Sequence, residues 1–262
     1  MKSSLAQFTS LARVRLVALH AVREALHLRI AALFFALALL PVVSVGWLRE
    51  FNFGTAELKF IIDIGHGALG VGGTLLALLA TVQLVHGDLE GRTVLMLLTR
   101  PLTPAEFIWG KLAGLLALIT WFTAGLAVVL AAVLVWRVRG SGAEVPWALL
   151  WGGIAFIWLK LVVSVALILL VCSYARSGLF AAGAGLFLIM LAHLRHLAGT
   201  TVGWSQALTL MLPDFQLFDP EQIASVPPSA AAWVVAASAA YAAAYLIIYT
   251  LLAGWLLQRR EY

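Results

Sequence analysis

Apolar residues in this chain come in long blocks separated by short polar or charged stretches. Six blocks stand out, roughly Leu28 to Trp47, Ile61 to Val85, Phe107 to Trp136, Trp147 to Cys172, Leu179 to Leu197 and Trp233 to Leu257. Each approaches or exceeds the roughly 20 residues that a helix needs to cross a bilayer core of about 30 Å. They predict an all-α, polytopic fold of six transmembrane helices forming one membrane domain over 1–262. Ahead of them, residues 8–27 wound as a helix put Phe8, Leu11, Ala18, Val22 and Leu26 on one side and Arg13, His20, Glu24 and His27 opposite. That is the pattern of an interfacial, elbow-like helix over 1–27, with Arg15 snorkelling from the apolar side to headgroups. Pro41 predicts a kink in the first span, which a membrane helix tolerates when neighbours satisfy the freed carbonyl. Gly65, Gly67, Gly70, Gly72 and Gly73 offer the second span a surface that another helix can approach closely, and Ala181, Gly183 and Gly185 do the same for the fifth. The segment 193–229 is broken by Pro213, Pro220, Pro227 and Pro228. Its apolar residues alternate with Asp214, Asp219 and Glu221, which predicts an external segment of short re-entrant helices.

Composition supports lipid as the solvent. Of the 262 residues 63% are hydrophobic and 11% charged, against about 45 to 50% and about 25% in a soluble domain. A net charge of +5 would suggest nucleic acid if the basic residues formed a dense run, but they sit at the ends of apolar blocks, so no nucleic-acid partner is expected. An even number of spans puts both termini on one side. With that side cytoplasmic, about 11 of the 17 Lys and Arg fall inside and about 5 outside, as membrane insertion favours. A multi-pass protein of the cytoplasmic (inner) membrane is expected, in contact with lipid. The charged N-terminus lacks a convincing cleavage site, so the first apolar block is expected to stay as a helix. The single cysteine, Cys172, excludes an intramolecular disulfide.

Between the second and third blocks the chain reads His86-Gly87-Asp88-Leu89-Glu90-Gly91-Arg92-Thr93-Val94-Leu95-Met96-Leu97-Leu98-Thr99-Arg100-Pro101-Leu102-Thr103-Pro104-Ala105-Glu106, and continues to Gly110-Lys111. From the residues alone this is a short amphipathic helix stopped by Pro101, which disfavours helix in the residue before it. Thr103 then caps the next helix, with Pro104 at its first position and Glu106 at its third. The 86–106 segment is therefore a charged knuckle between two membrane helices.

This stretch resembles the signature of type-2 permeases of ATP-binding cassette (ABC) exporters: an acidic residue before Arg-Thr, a run of leucines, a basic residue with Pro and a hydroxyl residue, then Gly-Lys. The motif falls on Glu90, Arg92, Thr93, Leu97, Leu98, Pro101, Thr103, Glu106 and Lys111. Pro104 stands where many relatives carry a basic residue. The resemblance implies a cytoplasmic coupling helix that seats in a groove of a nucleotide-binding ATPase subunit, with Asp88, Glu90, Arg92, Thr93, Leu97, Leu98, Arg100 and Pro101 as docking residues. It also implies a second permease copy in a dimer. Permeases that serve nitrous oxide reductase maturation are similar in size and layout.

No phosphate-binding loop is visible, because Ala105 and Leu112 stand where that motif needs glycine and a hydroxyl around Gly110-Lys111. The expectation is a transporter subunit that is not an enzyme, with no catalytic residues and no bound cofactor or metal; ATP and Mg belong to the partner subunit. Lys160 lies midway through the fourth block, where a charge costs at least about 2.5 to 3.5 kcal/mol and so turns to a cavity or a partner. With Asp63 and His66 it forms a candidate transport path, although Asp63 and His66 also read as a wet helix end. His193 and His196, three apart, have the spacing of metal ligands. Together with His66 they define the alternative of an intramembrane metal- or haem-binding protein or enzyme. Arg195 between them, and the lack of a nearby Cys or carboxylate, favour an interfacial polar end.

Overall fold

The computed structural model describes residues 10–26, 29–47, 56–90, 103–139, 144–195, 211–221 and 228–259. Seven α-helices account for nearly all of them: α1 (Ser10–Leu26), α2 (Arg29–Trp47), α3 (Ala56–Glu90), α4 (Pro104–Val138), α5 (Trp147–Tyr174), α6 (Gly178–Leu194) and α7 (Pro228–Gln258). A short 3-10 turn, Phe215–Phe218, lies between α6 and α7. The described residues contain no strand.

Among them, α3, α4, α5 and α7 are long and apolar enough to cross a membrane. The pair α1 and α2, whose axes differ by 58°, would make a fifth span if taken together. By length and composition the chain is membrane-embedded. α6 is apolar but has 17 residues, about 25 Å of helix, at the lower limit for crossing. The elements at α2 and α6 coincide with the first and fifth apolar blocks of the sequence.

Of the four long helices α5 is the most enclosed and α7 the least. α3 packs against α2, α4, α5 and α6, while α7 lies along α5 and α4. The glycines of α3 divide by direction. A Cβ on Gly65 would run into Leu130 of α4, one on Gly73 into Leu161 of α5, and one on Gly72 would press on Ala38 of α2. Each therefore permits a close helix crossing. Gly67 and Gly70 face open space instead. On α6, Gly185 abuts Leu78 and Gly183 is open.

Two elements depart from the sequence reading. His86 to Glu90 do not start a separate helix but complete α3, which runs unbroken for 35 residues; nothing between Val85 and Glu90 stops a helix except Gly87, a cost of only about 1 kcal/mol. α1 buries Ala21 and Ala25, which lie off the apolar side that the sequence predicts, and packs against α4, while Glu24, expected on the outward side, reaches Lys111. Pro41 lies inside α2, which continues through it.

Candidate functional site

Two polar places lie toward opposite ends of the long helices. The first forms where α4 begins. Thr103 caps it as its sequence requires: the Glu106 amide donates to Thr103 Oγ1 (3.3 Å) and the Thr103 amide donates to Glu106 Oε2 (2.9 Å), a reciprocal capping box. Two turns on, Lys111 is 1% exposed, and its Nζ lies 2.8 Å from Asp88 Oδ2 of α3 and 3.0 Å from Glu24 Oε2 of α1. A buried ammonium requires such partners. The glycines on either side explain how α1 comes so close. A Cβ on Gly110 would collide with Val17, and one on Gly114 would fall 2.5 Å from the Ala21 Cβ and 3.0 Å from its carbonyl carbon. Gly110-Lys111, the end of the motif, is thus a seat for α1: glycine gives room and lysine gives charge.

Asp88 is taken up in this cluster, with 16% of its side chain exposed; its carboxylate is directed to Lys111 rather than outward. Glu90 is the last residue of α3. Arg92, Thr93, Leu97, Leu98, Arg100 and Pro101 lie outside the described residues.

The second place is a cavity of about 810 Å³ bounded by α3, α5, α6 and the 211–221 segment. It brings together Lys160, Asp63 and His66 of the expected path and adds His193, Asp219 and Glu221. His66 is not a wet helix end. It is 5% exposed, its Nε2 lies 3.3 Å from the carbonyl oxygen of Leu150, and its ring occupies the space that a Cβ on Gly153 would take. With Nε2 as donor, that bond fixes the tautomer and leaves Nδ1 as acceptor. His193 Nδ1 lies 2.8 Å from the Ile189 carbonyl, and its ring meets Phe215 edge to face at 5.1 Å. Lys160 Nζ sits 5.9 Å from the centre of the Phe215 ring, within reach of a cation–π contact. Among the described residues no carboxylate lies within 4 Å of Lys160 Nζ.

Phe215 reaches Lys160 because its segment descends far into the bundle. Lys160 is 13 residues from the start of α5, about 20 Å along its axis. The segment hangs on a row of phenols that sequence reasoning missed. Tyr249 donates to the Met211 carbonyl (2.7 Å), Tyr245 donates to that of Leu212 (3.3 Å), and Tyr241 accepts from the Asp214 amide (2.8 Å) and from Arg195 (3.0 Å). The signal was present, since 241, 245 and 249 fall on one helical face, and neighbouring rings stand 4.8 and 5.4 Å apart. At the far end of α4, Arg137 pairs with Glu57 of α3.

His196 lies outside the described residues, and the described ones contain no cluster of three or more His, Cys, Asp or Glu suited to a metal. The His66 bond to Leu150 also turns Nε2 of that ring to a structural use.

A membrane-embedded helical protein, with a charged cavity toward one end and a three-residue ion cluster around a buried lysine toward the other, is the class that this fold and these sites define. A family described as a protein of unknown function, DUF2705, matches residues 69–262. The chain belongs to that family; the match covers most of it, from the middle of α3 onward. No curated protein matches.

Proposed function

We propose that the chain is the membrane-spanning permease subunit of an ABC exporter, moving substrate with ATP hydrolysed, together with Mg, on a separate nucleotide-binding subunit. The observation that carries this reading is the cluster at Lys111. The motif segment 91–102 leaves α3 just after Asp88 and enters α4 just before Lys111, and those two residues are bonded to each other. A push on the segment therefore reaches α3 and α4 together and, through Glu24, α1. That is the mechanical requirement of a coupling element. In this reading α1 is the elbow helix, α2 and α6 complete six spans, and both termini are cytoplasmic at the inner membrane. A second copy forms the dimer, and the cavity with Lys160, Asp63 and His66 is the substrate path. Glu90, Arg92, Thr93, Leu97, Leu98, Arg100 and Pro101 are the docking residues, whereas Asp88 acts from behind them by holding Lys111.

The purified chain should show no ATPase activity alone and should acquire it with a separate ATPase subunit from its native neighbours. Glu90→Lys and Leu97→Asp should weaken that association or uncouple hydrolysis from transport while membrane insertion stays normal. Hydrolysis by the chain alone, or full assembly and transport in both variants, would overturn the reading.

A further inference from the structure

The cavity carries opposite charges at different depths. Asp63, Asp219 and Glu221 are exposed on its rim, while Lys160 is partly buried farther in. Phe215 stands to one side of the ammonium, and Asp219, four residues on in the same segment, lines the cavity with it. The wall on α3 is cut back at Gly67 and Gly70, where an added Cβ would meet nothing within 4 Å. The wall on α6 is apolar at Leu186, Ile189 and Met190, with His193 at its end beside Phe215.

A simple anion drawn to Lys160 must pass three carboxylates, and a simple cation held by those carboxylates meets an ammonium deeper in; both are repelled at one level. A ligand carrying both charges is attracted at each, provided that its anionic end enters first. The apolar α6 wall and the glycine recess leave room for a hydrocarbon chain beside the head. We propose that this cavity binds a zwitterionic amphiphile, with its phosphate or carboxylate on Lys160, its ammonium group toward Asp219 and the rim, and its chain along α6. The proposal rests on reading the cavity as a substrate path and names the class of substrate.

The test uses the full chain in nanodiscs of phosphatidylglycerol, which contain no zwitterionic lipid, and radiolabelled lysophosphatidylethanolamine as the probe. Unlabelled lysophosphatidylethanolamine should displace the label at concentrations where dodecyl phosphate, dodecylammonium and soluble phosphoethanolamine do not. Lys160→Met should weaken binding by about tenfold or more, as expected for loss of a charged hydrogen bond. Asp219→Asn should narrow the preference for the zwitterion over dodecyl phosphate. Gly70→Leu keeps every charge and fills the recess, so it should abolish binding without lowering the melting temperature of the ligand-free chain. Stronger binding of dodecyl phosphate or dodecylammonium would overturn the proposal, as would equal competition by phosphoethanolamine. Unchanged affinity in both Lys160→Met and Gly70→Leu would do the same. No ATPase takes part, so a negative result leaves partner-dependent hydrolysis standing, and a positive one survives if no ATPase partner exists.

Discussion

Lys111 and Lys160 are two lysines inside apolar helices, and their surroundings give them different work. Lys111 is enclosed and paired with two carboxylates from other helices, so removing its charge takes a cation from each of them. We expect Lys111→Met to destabilise the protein by about 3 to 5 kcal/mol, read from denaturant or thermal unfolding in detergent. Glu24→Gln should cost less, because the Glu24 side chain is 34% exposed and water screens its share. A Lys111→Met protein that unfolds like the parent would show that the cluster contributes no stability. Lys160 was legible in the sequence, since a charge in the middle of an apolar block must be accommodated somewhere. The partners of Lys111 were not: Glu24 lies 87 positions away, and the helical periodicity of 8–27 assigned it to the solvent side. Local patterning ranks faces by hydrophobicity and cannot see a buried ammonium waiting on another helix.

At the scale of elements, the apolar blocks gave the helices to within a few residues, and the Thr103 capping box was readable because all its parts lie within four positions. What the blocks could not show is which glycine faces which neighbour. The five glycines in the first half of α3 look alike in sequence, yet Gly65, Gly72 and Gly73 receive other helices while Gly67 and Gly70 open the cavity. The α1 seat likewise depends on Gly110 and Gly114, four apart and on one face of α4. Gly114→Leu should lift α1 from that seat. In a Cys172→Ala background, Ala21→Cys should resist a membrane-permeant maleimide in the parent and react readily once Gly114→Leu is added; equal protection in both would mean that α1 stays in place. The phenol row of α7 went unread for a different reason: its acceptors lie 33 and 38 positions away on an irregular segment, where no periodicity links donor to carbonyl.

For the whole molecule, the sequence made the choice of solvent plain and left the number of crossings less so, because α6 is only about 25 Å long and α1 and α2 meet at a bend. The orientation can be tested on α5, whose ends are both described. Glu144→Cys and Ser177→Cys, in the Cys172→Ala background, should be labelled by an impermeant reagent from opposite faces, Ser177→Cys from the cytoplasmic one; labelling of both from one face would break the proposed topology. A separate consequence follows from the continuity of α3. One rod of 35 residues without a proline, about 52 Å long, carries Asp88 near one end and the recess at Gly67 and Gly70 about 27 to 32 Å away. A stiff shaft transmits twist without loss: turning it by about 20° sweeps side-chain tips, about 5 Å from the axis, through about 2 Å at both ends. For the coupling that the proposed function requires, no relay of rotamer flips is then needed between the ion cluster and the cavity, and its clock is that of a whole helix shifting, in microseconds to milliseconds.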